Sequence, residues 1–507
     1  APSRRAESVV TISPAPAPDA GTSADAATSP EELDAVLDRA VTASGSWAAR
    51  TPASRAAVLR AVADALDEAG PELVPVAVEE THLPAARLTG EVTRTTSQLR
   101  LFATVLDDGA YLEAAVDHPD GDWPAAPRPD VRRVLVPLGP ALVFAASNFP
   151  FAFSIAGGDT ASALAAGCPV VVKAHPGHPH LSARTGAVVT AALASAGAPD
   201  GTFAVIFGED AGRVAIQDRR IRVGAFTGSL RGGRALFDLA AGRPDPIPFH
   251  GELGSLNPVF VTPAAAGVRM AEIAAAYVGS FTFGAGQLCT KPGLLFVPTG
   301  AYDEPAMADA VAALPAAPLL NEHIERGYHD VLDGLRAHPA IRTVVAGEGG
   351  GAPGPTLLAT TAVELVASAD ELLVECFGPT SVVVTYDDES QLLAAAEAFG
   401  GQLTATVHGE DGDDVVVLLD VLAARAGRVI WNGWPTGVSV TWAMQHGGPW
   451  PATTAPGGTS VGATAIARFL RPVAYQAIPD GLLPAALRDA NPLGIPRRVD
   501  GRLQPGT

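Results

Sequence analysis

Apolar residues near the start of the chain recur every three or four positions, whereas from residue 134 onward they gather into short runs between helical stretches. The first pattern is that of amphipathic helices, the second that of buried strands in a layered sheet. SPEELDAVLDRAVTA opens with Ser29 before Pro30 and carries Glu31 and Glu32 in its first turn, a helix-start signal. SRAAVLRAVADALDEAG and PELVPVAVEETHL continue as further helices, and RLTGEVTRTTSQLRLFATVLDDG as a longer amphipathic one. ALVFAAS, PVVVKAH, TFAVIFG and RVGAFTGS then read as strands, separated by the helical DTASALAAG and HLSARTGAVVTAALASAG. A second set, NPVFVTP, GLLFVPT, TSVVVTYDD, LTATVHG and AGRVIWNG, repeats the alternation. The rhythm predicts an α/β protein with two doubly wound regions. In such sheets ligands sit at the carboxyl ends of the strands, where Asn148, Lys173 and GAFTGS fall.

The remaining stretches are read by composition. Residues 1–30, rich in Ala, Pro, Ser and Thr, are expected to be a loosely ordered lead-in without the apolar core of a signal peptide. Residues 117–133 are rich in Pro and Asp and suit a hairpin or an excursion. The uncharged run 134–158 is long enough to span a membrane, but Pro137, Pro140, Asn148 and Pro150 interrupt it, so a buried strand leading into a loop is expected. From about 443 onward the chain is rich in Gly, Pro and Thr, with one short helix, and suits an arm or interface. A net charge of −20 argues against nucleic-acid binding, and three cysteines, Cys168, Cys289 and Cys376, give neither a disulfide framework nor metal-ligand spacing. They suit a reducing, cytoplasmic setting with no resident metal.

Cys289 stands in FGAGQLCTKPG, where flexible glycines let backbone N–H groups approach a sulfur or an oxyanion. By itself it fits a small buried hydrophobe equally well. Glu252, in HGELGSLNP, lies at a strand–loop junction and suits a general base or an exposed loop carboxylate. GAFTGS precedes a helical segment whose free N–H groups can hold a pyrophosphate, and Lys173 closes PVVVK.

Together SNFPF (147–151), VVVK (170–173), GAFTGS (224–229), GELGSLNP (251–258), GAGQLCTKPG (284–293) and ECFGP (375–379) resemble the aldehyde dehydrogenase superfamily in order and spacing. The resemblance implies a Rossmann-like dinucleotide-binding domain (31–116 and 138–251), a catalytic domain (252–442) and an oligomerisation element (117–137 with 443–507) in a homodimer or homotetramer. It implies Cys289 as nucleophile, Glu252 as the base that activates water, and Asn148 as a donor to the oxyanion. It places Lys173 at the adenosine ribose, Gly228 and Ser229 at the pyrophosphate, and Glu375 and Phe377 at the nicotinamide ribose and ring.

Pro176 stands where members that prefer NAD carry a glutamate, so NADP is expected as cofactor, with NAD also accepted and His175, His178 or Arg213 near the 2′-phosphate. The tail and SIAGGDTASALAAG resemble the branch of the 2,5-dioxopentanoate (α-ketoglutarate semialdehyde) dehydrogenases and an NADP-linked fatty aldehyde dehydrogenase. A semialdehyde needs a cation or several donors at the far end of its tunnel, and Arg94, Gln98 and Arg100 lie on a helix that suits the entrance, with Arg94 and Gln98 on one face. A fatty aldehyde needs an apolar tunnel, for which Phe149, Phe151, Phe281 and Phe283 are candidates. A non-catalytic protein on the same fold is a further alternative, and so is a cofactor-free cysteine hydrolase, against which stands the lack of a histidine in a partner motif.

Overall fold

The computed structural model describes residues 26–347 and 352–506, so most of the expected lead-in, residues 1–25, lies outside the described residues. Three sheets organise the chain. The first is parallel throughout, in the spatial order Phe203–Ile206, Val170–Lys173, Ala141–Phe144, Val223–Thr227, Phe249–Glu252. Its central strands are short apolar runs because both faces are covered. Val143, Val170 and Val172 face the helices Pro52–Thr81, Ala85–Asp108 and Pro179–Ser195, while Leu142, Phe144 and Val171 face Pro30–Ala48 and Glu209–Gln217. The strand order reverses beside Ala141–Phe144, which makes the crevice at its carboxyl end a natural ligand site.

The second sheet runs Arg342–Val345, Thr356–Thr361, Thr380–Tyr386, Leu294–Pro298, Val259–Val261, Gln402–His408, Ala426–Trp431, parallel except for its first pair. Phe260, Phe296 and Val384 pack on one side, and Val261, Leu295 and Val383 on the other. The α/β class with two helix-covered parallel sheets is therefore as the alternation predicts. The third sheet is small and mostly antiparallel: Leu470–Gln476, Val131–Pro137, Ala115–Asp117, Arg497–Val499, Arg502–Gln504.

Ser29 caps the first helix, accepting from the Glu32 N–H while the Glu32 carboxylate accepts from the Ser29 N–H. The two helices expected on either side of Gly70-Pro71 are one, Pro52–Thr81. Each interior proline costs about 3 kcal/mol. Burial of Leu59, Val62, Leu66, Leu73 and Ala77 in the main core offsets that cost. The uncharged run after 134 supplies the end of one strand, a second strand at Ala141–Phe144 and a loop, and no described helix is long and apolar enough to cross a membrane. In the tail the short helix is a 3-10 segment, Ala463–Phe469, that runs straight into a strand.

Candidate active site

Two sheet edges face each other across the site. From the first sheet come groups that follow its strands: Asn148 after Ala141–Phe144, Lys173 at the end of Val170–Lys173, Gly228 and Ser229 after Val223–Thr227, and Glu252 at the end of Phe249–Glu252. From the second come groups that precede its strands: Asn257, Cys289 and Glu375. The expectation of carboxyl-end placement holds for the first sheet only, and the second contributes its amino edge.

Three consecutive residues shape the approach to Cys289: Gly284, Ala285 and Gly286 all have φ between +55° and +66°. A side chain at Gly286 would place its Cβ 2.1 Å from the Gly378 carbonyl oxygen, so the glycine lets the two loops touch. Lys291, fully buried, ties the same loops together by donating to the carbonyls of Cys376 (2.6 Å), Thr380 (2.7 Å) and Gly378 (3.2 Å). Asn257 Nδ2 donates to the Cys289 carbonyl (2.8 Å) and the Lys291 carbonyl (2.9 Å). Gln402 holds that segment in turn, its side-chain oxygen accepting from the N–H groups of Leu256 (2.7 Å) and Asn257 (3.2 Å).

Glu252 is 3% exposed, yet it is poised to be ionised. Burial pushes its carboxyl up, but the neighbouring His446 and the Ser460 hydroxyl that donates to Oε2 outweigh burial and hold it below the usual range. His446 Nε2 lies 3.1 Å from Glu252 Oε1 and 3.6 Å from Cys289 Sγ, so one imidazole bridges thiol and carboxylate. Burial pushes the Cys289 thiol well up; the Glu252 charge adds to this and Arg94 opposes it. The resting sulfur is thus a thiol. Asn148 Nδ2 donates to the Gln287 carbonyl (3.2 Å), two residues from Cys289.

Of the groups expected at a dinucleotide, Lys173, Gly228 and Ser229 lie along the first sheet's carboxyl edge, and Glu375 and Phe377 in the loop that precedes Thr380–Tyr386 of the second. Lys173 is nearly buried, its ammonium pKa lowered by desolvation against the charge of Glu209. Ser229 caps the helix Leu230–Ala241, and its hydroxyl accepts from the Gly232 N–H at 3.2 Å. Glu375 approaches the backbone of Gly254, where a Cβ would stand 2.2 Å from its Oε2, and burial pushes its carboxyl up to about 7. Phe377 is half-buried in the same loop. His178 spends both ring nitrogens, on Ser182 Oγ and the Ala146 carbonyl, each at 3.0 Å, and is unavailable to a phosphate. His175 accepts from the Gly177 N–H through Nδ1, and burial pushes its pKa well down, so it is neutral.

Arg94 lies over the rings of Phe149 and Phe153, 5.5 and 5.4 Å from their centroids. Its Nε and Nη2 are buried and hydrogen-bond to no described residue, and desolvation lowers its pKa against the opposing charges of Glu91 and Glu252. Gln98 is buried and reaches only the Ala152 carbonyl, at 3.5 Å. Arg100 points away and pairs with Asp64 and Asp67. The four phenylalanines considered for an apolar tunnel do not form one: Phe151 and Phe281 belong to separate cores and Phe283 is exposed.

A doubly wound parallel sheet whose carboxyl edge brings a buried carboxylate against an imidazole and a thiol is the framework of a cysteine-dependent enzyme. Residues 2–450 match the aldehyde dehydrogenase family. The chain is 44% identical to alpha-ketoglutaric semialdehyde dehydrogenase 2 of Azospirillum brasilense (93% of this chain, 92% of that one). It is 42% identical to the alpha-ketoglutaric semialdehyde dehydrogenase of Acinetobacter baylyi (93% and 91%). Its fold superposes with a TM-score of 0.74 on an NADP-dependent enzyme of E. coli, 25% identical, over 88% of this chain and 90% of that one. The chain belongs to the aldehyde dehydrogenase family, and its activity is the nicotinamide-dependent oxidation of an aldehyde to a carboxylate.

Sequence reasoning passed over His446, Lys291, Asn257 and Gln402. His446 lies in QHGGPW, 157 positions from Cys289, with no spacing rule to link them. No sequence motif links a histidine to the cysteine, as expected, but the fold brings one beside the sulfur. Lys291 did carry a signal, a charged residue two positions after the cysteine in a run without other charges.

Proposed function

We propose that the chain oxidises α-ketoglutarate semialdehyde (2,5-dioxopentanoate) to 2-oxoglutarate, with Cys289 as nucleophile. The relatives' activity supports this, and one observation carries it: Arg94, stacked over the Phe149 and Phe153 rings, keeps Nε and Nη2 buried without a hydrogen-bond partner among the described residues. Such a guanidinium suits the carboxylate at the far end of a short semialdehyde. The Cys289 proton passes to the Nε2 lone pair of His446 as sulfur attacks the aldehyde carbon, and Glu252 Oε1, 3.1 Å from that nitrogen, stabilises the imidazolium that forms. The oxyanion is held by the Cys289 N–H and Asn148 Nδ2, and the adduct is a thiohemiacetal. A nicotinamide cofactor held by Lys173, Gly228, Ser229, Glu375 and Phe377 would supply the hydride acceptor, so that the Cys289 adduct would be oxidised to a thioester. Glu252 then removes a proton from water, which attacks the thioester carbon and expels the thiolate.

The residues present fit the dinucleotide: Lys173 for the adenosine ribose, Gly228 and Ser229 at a helix N-terminus for the pyrophosphate, Glu375 and Phe377 for the nicotinamide end. NADP is the cofactor we favour, because Pro176 puts no carboxylate beside the ribose. Neutral His175 contributes a donor there without a charge, which leaves the positive field to Lys173 and the exposed Arg213. The three free thiols suit a reducing compartment.

Arg94→Ala tests the substrate. A charged hydrogen bond contributes about 1.5–3 kcal/mol, so kcat/KM for the semialdehyde should fall about 10–100-fold relative to an unbranched aldehyde of the same length. Loss shared equally by both aldehydes would sink the assignment. Rates with NADP and NAD measured alongside decide the cofactor.

A further inference from the structure

The Cys289, His446 and Glu252 side chains present a sulfur, a nitrogen and an oxygen that all lie within 4.8 Å of one another. Two of the edges are 3.6 Å (sulfur to nitrogen) and 3.1 Å (nitrogen to oxygen). A tetrahedral zinc ion, with bonds of about 2.3 Å to sulfur and about 2.0–2.2 Å to nitrogen and oxygen, sets those edges at about 3.6 and about 3.4 Å. Both edges lie within about 0.3 Å of those values, and the sulfur and oxygen are within 4.8 Å of each other. Thiolate, imidazole and carboxylate are also the ligand types such ions select, and three of them leave a fourth position open. The surrounding charges are mixed rather than cationic, with Glu252 and Glu375 facing Arg94 and Arg428 around the sulfur.

We propose that these three side chains bind a thiophilic divalent cation, zinc foremost, which takes the place of the aldehyde carbonyl and inhibits the enzyme reversibly. Binding turns the Cys289 thiol into a thiolate and releases its proton to solvent. The ion takes the Nε2 lone pair, so the imidazole carries its proton on Nδ1. No electrons move. Nδ1 of His446 is buried without a hydrogen-bond partner among the described residues, and the support that strong metal sites give the second nitrogen is missing. The ion is therefore held loosely enough for a chelator to remove it. The inference is independent of which aldehyde the enzyme takes.

The test uses the purified full chain in buffer free of thiols and chelators. Zinc chloride should lower the rate at least tenfold, in competition with aldehyde, and EDTA should restore it fully. Cobalt(II) used as a spectroscopic probe should give a thiolate-to-metal absorption band with one ion per chain. The band should vanish in Cys289→Ser, and cobalt affinity should fall at least tenfold in His446→Gln, with melting temperatures unchanged. Glu252→Gln serves as the second ligand variant if His446→Gln does not fold. Inhibition that EDTA does not reverse, absence of the cobalt band, or undiminished cobalt affinity in the soluble ligand variant would each overturn the proposal.

Discussion

At the scale of single residues, the site separates the roles of two carboxylates by their surroundings. Glu252 is buried and Glu375 half-buried near the same sulfur, yet His446 and Ser460 hold the first below the usual carboxylate range while desolvation pushes the second up to about 7. Glu252→Gln preserves shape and removes the base. Rapid mixing should show one turnover of reduced cofactor near the wild-type rate, followed by a steady state slower by about 10²–10⁴-fold. Loss of the first turnover itself would assign Glu252 to thiol activation alone. Glu375 gives a pH prediction. A ribose hydroxyl donates to a carboxylate, so bound cofactor favours the ionised form, and affinity should rise as pH climbs through about 7. For the free protein the sign is opposite. A carboxyl raised on folding adds stability below its unfolded value, and that stability is lost as pH rises through about 7. Cofactor titrations by fluorescence between about pH 6 and about 8 check this, and a flat profile would count against Glu375 as the ribose ligand.

At the scale of elements, the nucleophile loop is held from both sides: by Asn257 and Gln402 beneath, and by Lys291 and the Gly286–Gly378 contact against the Glu375 loop. Gly286→Ala would force a Cβ onto a backbone oxygen at a φ of +66°. Destabilisation of about 1–3 kcal/mol is expected. Cofactor and aldehyde KM should both rise, since the two loops separate together; an unchanged melting curve would show that the loop yields without cost. The same loops show what a sequence can and cannot disclose. The strands PVVVKAH and TSVVVTYDD were legible because they are buried on both faces and read as unbroken apolar runs. Cys289, Glu252 and Asn148 were legible as motifs, each within its own short window. His446 was not, since its place beside the sulfur is created by a tail segment packing back between two sheets. The three-residue strands Ala115–Asp117 and Arg497–Val499 are too short for any period to show, and pair only because the long chain path returns.

At the scale of the whole molecule, the third sheet is the part with the least evident reason to exist in a single chain. It is built from 115–117, 131–137 and the tail, covers a small core of Val134, Leu483, Leu487 and Ile495, and stands apart from the residues that do chemistry. Both of its edge strands, Leu470–Gln476 and Arg502–Gln504, have one side unpaired among the described residues. Nearby, Leu482 and Leu503 are 77% and 70% exposed. A free strand edge flanked by exposed apolar side chains invites a second chain. An oligomerisation role for the excursion and tail is a proposal that solution measurements test. Light scattering on the purified chain should give a dimer or tetramer. Leu482→Glu combined with Leu503→Glu should shift it to smaller species while circular dichroism stays unchanged. With a net charge of −20 on each subunit, dissociation should be easier at low ionic strength, where the repulsion is unscreened. A wild-type protein that is monomeric at every concentration and salt would remove the oligomerisation role and leave the small sheet as a brace between the tail and the first sheet.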